Sequence, residues 1–241
     1  MFIFIRLLLG HFVGDFPLQF DRIYRLKHKG ITGVIPHAVL VSLSFILFSW
    51  PYLTRPGIWI ALILLGLTHL YQDSFKLGFS RLKYSFYTYL LDQISHIALI
   101  AVFVFLTGIK NLPPPPENGS LFVTLYNSDT LMIFVIAMIF ATYNGFFLMR
   151  SFKNTFLGGA GKYNIFDKWY GIFERAIIVY VFFLGGFFFF LIPALCCLRP
   201  AVFRLFHGKF DLEKDFLSIP DILLNWAIAF ITGFALHLIL Q

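Results

Sequence analysis

Charge is what this chain has least of. Only 13% of its 241 residues are Asp, Glu, Lys or Arg, while 59% are hydrophobic and 20% aromatic. A soluble domain is about a quarter charged and about half apolar, and no stretch here is both polar enough and long enough to build one. Cysteine is scarce too: Cys196 and Cys197 are the only two, adjacent and in an apolar setting, which excludes a disulfide framework. No apolar run shows the two-residue alternation of a barrel strand, and lipid does not tolerate an open sheet edge, so a β architecture is excluded. The run "LGGFFFF" has no following Lys and no preceding strand, which excludes a phosphate loop. The net charge of +7 comes without a basic helix or a nucleic-acid motif. It fits basic loops against an anionic leaflet, and no nucleic-acid partner is expected.

What the chain does have is long hydrophobic runs, with a mean hydropathy of +0.81. Spans are expected near Phe2–Phe20, Ile35–Leu53, Gly57–Phe79, Tyr84–Gly108, Thr130–Met149, Trp169–Leu195 and Ile219–Leu240. That is an all-α polytopic membrane protein, a bundle of six to seven transmembrane helices of about 20 residues each. Arg6 and His11 interrupt the first run and no small-residue cleavage site follows it, so it reads as a retained span, not a leader. Three regions are expected: a four-helix membrane core over 1–110, an external Pro-rich loop over 111–129 with "PPPP" at Pro113–Pro116, and C-terminal membrane helices over 130–241.

Loop charge sets the orientation. The first, third and fifth loops carry Arg22, Arg25, Lys27 and Lys29; Lys76, Arg81 and Lys83; and Arg150, Lys153, Lys162 and Lys168. The second and fourth carry only Arg55 and Lys110. The positive-inside rule then places the basic loops in the cytoplasm and the N-terminus outside. The loop after the sixth run disagrees, with Arg199, Arg204, Lys209 and Lys214 on the side that parity assigns to the exterior. Two arrangements reconcile it: a re-entrant hairpin bent at Gly185–Gly186, or an interfacial helix over "LRPAVFRLF".

Against this apolar background, three runs each hold an acid and an imidazole four residues apart: His11–Asp15, His69–Asp73 and Asp92–His96. Such residues share one helix face, one turn apart. The third pair is reversed in sequence and sits on a span of opposite direction, so all three Asp residues lie toward the same end and all three His residues one turn deeper. The Asp residues fall about five to eight residues from that end, roughly 8–12 Å along a helix. His37, after Pro36, enters at the same end. An Asp at a span centre costs about 2.5–3.5 kcal/mol on insertion scales, so these groups should face inward and find partners. A single pair is adequately explained as a hydrogen bond that helps pack helices. Three pairs and a fourth imidazole at one level suit one or two divalent transition ions, Zn, Mn or Fe, held by His11, Asp15, His69, Asp73, Asp92 and His96. His37 is a ligand or a general base. Farther on, Glu174 and Arg175 in "GIFERAII" read either as an interfacial ion pair or as an added ligand and a phosphate clamp, hence as candidate catalytic residues. Asn144 lies at a similar depth.

The stretches "LLLGHFVGDFPLQ", "PHAVL", "HLYQDSFK" and "LLDQISHI" resemble a bacterial integral-membrane family known as domain of unknown function 3307, over about the first 110 residues. The resemblance implies the helical membrane fold and assigns no activity. A looser analogy runs to membrane-bound metal-dependent hydrolases, which also place His and Asp on successive spans. The function expected is a metal-dependent hydrolase of a lipid-linked or amphipathic substrate, with membrane lipid as the partner and the polar cluster toward the cytoplasmic side. A proton or divalent-metal transporter and a structural membrane partner are the alternatives. Oligomeric state has no signal in the sequence.

Overall fold

The computed structural model describes residues 1–27, 30–78, 85–159, 165–207 and 219–241. Lys29, Arg81, Lys83, Lys162, Lys209 and Lys214, all counted above as loop charges, lie outside them. Every element among the described residues is helical. Five helical stretches are long and apolar enough to cross a membrane: Ile31–Phe48, Pro56–Lys76, Phe86–Leu106, Asp129–Phe156 and Ile219–Leu240. Of the six to seven spans expected, these five meet that measure. The first helix, α1 (Phe2–Asp15), is 14 residues long. It stops before Pro17, which has no N–H to give the Val13 carbonyl; Leu18 donates to it instead at 3.1 Å. The stretch Ile165–Leu184 is 20 residues long and carries Asp167, Lys168, Glu174 and Arg175.

The chain forms two compact units, residues 1–136 and 137–241. The first is built on α1, α2 (Asp21–Lys27), α3 (Ile31–Phe48), α4 (Pro56–Gly78) and α5 (Phe86–Leu106). Proline opens α4, where its missing N–H costs nothing. Ser85 caps α5, its side chain accepting from the Thr88 amide at 3.1 Å. Glycines set the helix spacing. A Cβ on Gly14 would stand 2.7 Å from Val41 Cα, and one on Gly10 3.2 Å from the Ser44 carbonyl, so α1 and α3 meet backbone to backbone. This is the small-residue seam by which helices approach closely in lipid. A Cβ on Gly33 would stand 1.8 Å from the Leu26 carbonyl, which lets α2 lie directly on the start of α3.

One half of this unit is an apolar core including Ile3, Leu7, Val41, Phe45, Ile58 and Ile100. Arg6 is fully buried there, donating to the Tyr126 carbonyl and to Asp129, with its guanidinium over the Phe2 ring. The Pro-rich segment belongs to the same unit. Tyr52 donates to the Pro113 carbonyl at 2.6 Å and Asn127 to that of Pro115 at 2.9 Å, and the segment includes a short helix, α6 (Leu121–Asn127). Outward faces are apolar: Val39, Leu43 and Leu47 on α3, and Ile60, Ile63 and Leu67 on α4, are all exposed.

The second unit follows from α7 (Asp129–Ile139), which runs through a π-helical turn, Phe140–Asn144, into α8 (Gly145–Phe156). With α9 (Ile165–Leu184), α10 (Leu191–His207) and α11 (Ile219–Leu240), it encloses Ile178, Phe182 and Ala229. The chain turns between α9 and α10 at Gly185 and Gly186, both at positive φ, where glycine carries no steric cost. α9 and α10 pack together, which either arrangement of this segment allows.

Candidate metal centre

Four helices of the first unit deliver the His and Asp side chains. His11 and Asp15 lie on α1, Asp15 as its last residue; His37 stands nearly two turns into α3, His69 and Asp73 share a face of α4, and Asp92 and His96 share a face of α5. A carboxylate at a helix C-terminus opposes the macrodipole, so Asp15 needs compensation there. It comes from two imidazoles: His37 Nε2 lies 2.9 Å from Asp15 Oδ1 and His69 Nε2 lies 3.4 Å from it. The two Nε2 atoms are 3.3 Å apart. Three donors about 2.0–2.1 Å from a tetrahedral ion stand about 3.3–3.4 Å from one another. The Asp15–His37–His69 triangle therefore has the size of one face of such a coordination shell.

Asp73 joins the same set, its Oδ2 3.3 Å from His37 Nε2 and 3.5 Å from His69 Nε2. On the deeper level, the His96 ring lies 4.5 Å from that of His69 and 5.0 Å from that of His11, centroid to centroid. Three groups offer ligand atoms within 4.8 Å of one another: His11, His69 and His96; Asp15, His37 and His69; Asp73, Asp92 and His96. His69 and His96 each belong to two groups, so the groups form one continuous cluster. The sequence-predicted ligands His11, Asp15, His69, Asp73, Asp92 and His96 are thus together, with His37 among them. All are buried except Asp92, which is half-buried.

The donor set fits a metal on two further observations. Both ring nitrogens of His11, Nδ1 of His37 and Nε2 of His96 are buried with no hydrogen-bond partner among the described residues. Buried polar atoms are ordinarily satisfied, and exceptions ask for a reason such as a missing ion or water. A cavity of ≈ 10 Å³ has His11, His69, His96, Thr68 and Gln72 in its wall. That is room for one particle the size of a water molecule.

Two lysines complete the site. Lys27 Nζ, from α2, lies 2.7 Å from Asp73 Oδ2, and Lys76 Nζ, at the end of α4, lies 2.6 Å from Asp92 Oδ2. Burial alone would pull the Lys27 ammonium down; the carboxylates of Asp73 and Asp15 outweigh it and hold its pKa above the ordinary lysine value. Sequence reading assigned both lysines to basic loops. Only the α2–α3 contact at Gly33 shows where Lys27 reaches. A readable signal did exist for Lys76: it stands three residues after Asp73 on one helix.

Glu174 and Arg175 are placed within the second unit, with partners of their own. Glu174 pairs with Arg199 and accepts from Asn225 and Trp226. Arg175 donates to the Ala141 and Thr142 carbonyls of the π-helical turn, to Asn225 Oδ1 and to Met149. Asn144 is buried in that same turn. Lys153, counted as a loop charge, is buried on α8 and pairs with Asp221 at 2.7 Å.

All seven cluster residues lie within a stretch, 3–113, that matches the family described as Protein of unknown function (DUF3307). Residues 3–113 are a DUF3307 domain. No curated protein and no solved structure matches the chain. The DUF3307 domain thus contains the whole metal-type cluster with Lys27 and Lys76, whereas Glu174, Arg175 and the rest of the second unit lie beyond the matched residues.

Proposed function

We propose that this chain is an integral membrane protein whose DUF3307 domain binds one or two divalent transition ions, Zn, Mn or Fe, and hydrolyses a lipid-linked or amphipathic substrate near the cytoplasmic leaflet. The observation that carries the reading is the convergence of four imidazoles and three carboxylates from four helices, with three donors spaced as a coordination face. An ion held there would supply a Lewis acid and an acidified water, which is the chemistry of hydrolysis. The protein's own contribution is orientation. Asp15 and His37 bring α1 and α3 together at the site, and His69 and His96 tie the upper and lower levels together. His37 acts in this reading as a ligand through Nε2; as a general base it would need that nitrogen free of the ion. Membrane residence is supported by apolar outward faces on helices whose charged and imidazole side chains are turned inward. Glu174 and Arg175 add nothing to this reading, which rests on the first unit alone.

Elemental analysis of the purified protein tests it. About one or two first-row ions per chain are expected, falling in Asp73→Ala and His96→Ala. A preparation without metal that recovers none on reconstitution would falsify the proposal. A second reading, transport of protons or divalent metal, draws on the run of ring contacts from His11 through His96 and His69 to His37. Flux into proteoliposomes that Asp73→Asn abolishes would favour it.

A further inference from the structure

Lys27 and Lys76 come from different elements, yet each places its ammonium on a carboxylate of the cluster, at 2.7 Å on Asp73 Oδ2 and 2.6 Å on Asp92 Oδ2. The Lys27 and Lys76 side chains are 13% and 28% exposed, and those of Asp73 and Asp92 2% and 11%. The ammoniums therefore form the outer layer, and anything entering from that end meets them first. Asp73 Oδ2, which Lys27 caps, also faces His37 and His69. A divalent ion bound beside those imidazoles competes with the ammonium for the same oxygen. With ligating imidazoles neutral, the three carboxylates and two ammoniums carry one net negative charge. One divalent ion turns that into one positive charge, and two ions into three.

We propose, on the basis of the metal-site reading above, that the substrate carries a phosphoryl group and that Lys27 and Lys76 bind its oxygens. Metal binding releases the two ammoniums from Asp73 and Asp92, and the released charges and the ion together face a single anion. A phosphoryl group has enough oxygens to reach the ion and both point charges at once, and lysine is a common phosphate ligand. Gly33 supports the arrangement: α2 can hang Lys27 over the site only because no Cβ separates Gly33 from the Leu26 carbonyl.

The test uses the full chain in detergent, loaded with Zn²⁺ or Mn²⁺, and measures binding of inorganic phosphate and of phosphatidate in mixed micelles. Phosphate-group binding to the loaded protein is expected, with affinity falling at least about tenfold in Lys27→Met and Lys76→Met at unchanged metal content and returning in Lys27→Arg. Binding of phosphatidate alone assigns the group to a lipid headgroup; binding of both probes assigns it to the phosphate itself. Lys27→Met should also take up the metal alone more tightly, since the competing cation is gone. Absence of bound metal overturns the metal-site reading together with this one. Full metal content with phosphate affinity unchanged in both methionine variants overturns this inference by itself.

Discussion

At the scale of single residues, the cluster is defined by how few atoms share the contacts. Asp15 Oδ1 is met by two imidazole nitrogens, and the same nitrogens approach Asp73 Oδ2. Removing the charge of Asp15 should therefore weaken one ion without unfolding the unit, because Asn keeps an oxygen for His37. Loss of a residue that only orients a ligand costs about 10–100-fold in metal affinity; Asp15→Asn is expected to exceed that for one ion, read by competition with a chromophoric chelator. His96→Ala should do more damage, since His96 belongs to two of the three groups. Loss of a single equivalent in Asp15→Asn against a larger loss in His96→Ala is the pattern expected. Equal, negligible losses in both would point to hydrogen-bonded pairs that merely pack helices.

At the scale of elements, the glycine seams position those atoms. Gly14 faces the Val41 backbone at 2.7 Å, whereas Gly66 on α4 faces only the Ser42 hydroxyl at 2.7 Å, a group that can rotate away. Overpacking a tight contact typically costs about 1–3 kcal/mol. Gly14→Ala is expected to cost that much in thermal unfolding in detergent and to lower metal content by parting Asp15 from His37; Gly66→Ala should be nearly silent. In the second unit, the π-helical turn leaves the Ala141 and Thr142 carbonyls for Arg175. Lysine is a single point charge and cannot reproduce that fork, so Arg175→Lys should destabilise by about 2–4 kcal/mol. The same scale explains what the sequence could reveal. The three acid–imidazole pairs were legible because four residues is one helical turn, and the reversal of order in the third pair was legible because successive spans alternate in direction. The helical class was legible from hydropathy. The end of α1 at Asp15 was not read, since hydropathy alone carried the first span on to Phe20, past Pro17. Lys27 was not legible, since its reach depends on how α2 crosses α3. The partners of Glu174 and Arg175 were not legible either: Arg199 and Asn225 lie on other helices, and no periodicity links positions 25 and 50 residues apart.

At the scale of the whole molecule, orientation decides which compartment supplies the substrate. Two ends of the first unit can be told apart by composition. One carries α2 with Arg22, Arg25 and Lys27, together with Lys76 and the cluster; the other carries the Pro-rich segment and α6. The positive-inside rule depends on Lys and Arg near span ends and assigns the first of these to the cytoplasm. Arg22 and Asn118 are both exposed and mark the two ends. With Cys196 and Cys197 replaced by Ser, a membrane-impermeant maleimide applied to intact cells should modify Asn118→Cys and spare Arg22→Cys until the membrane is opened. The reverse pattern would move the His/Asp cluster to the outer leaflet while leaving its geometry intact. The cluster would then meet a substrate presented at the outer leaflet, because Lys27 and Lys76 are more exposed than the carboxylates they contact and form its outer edge.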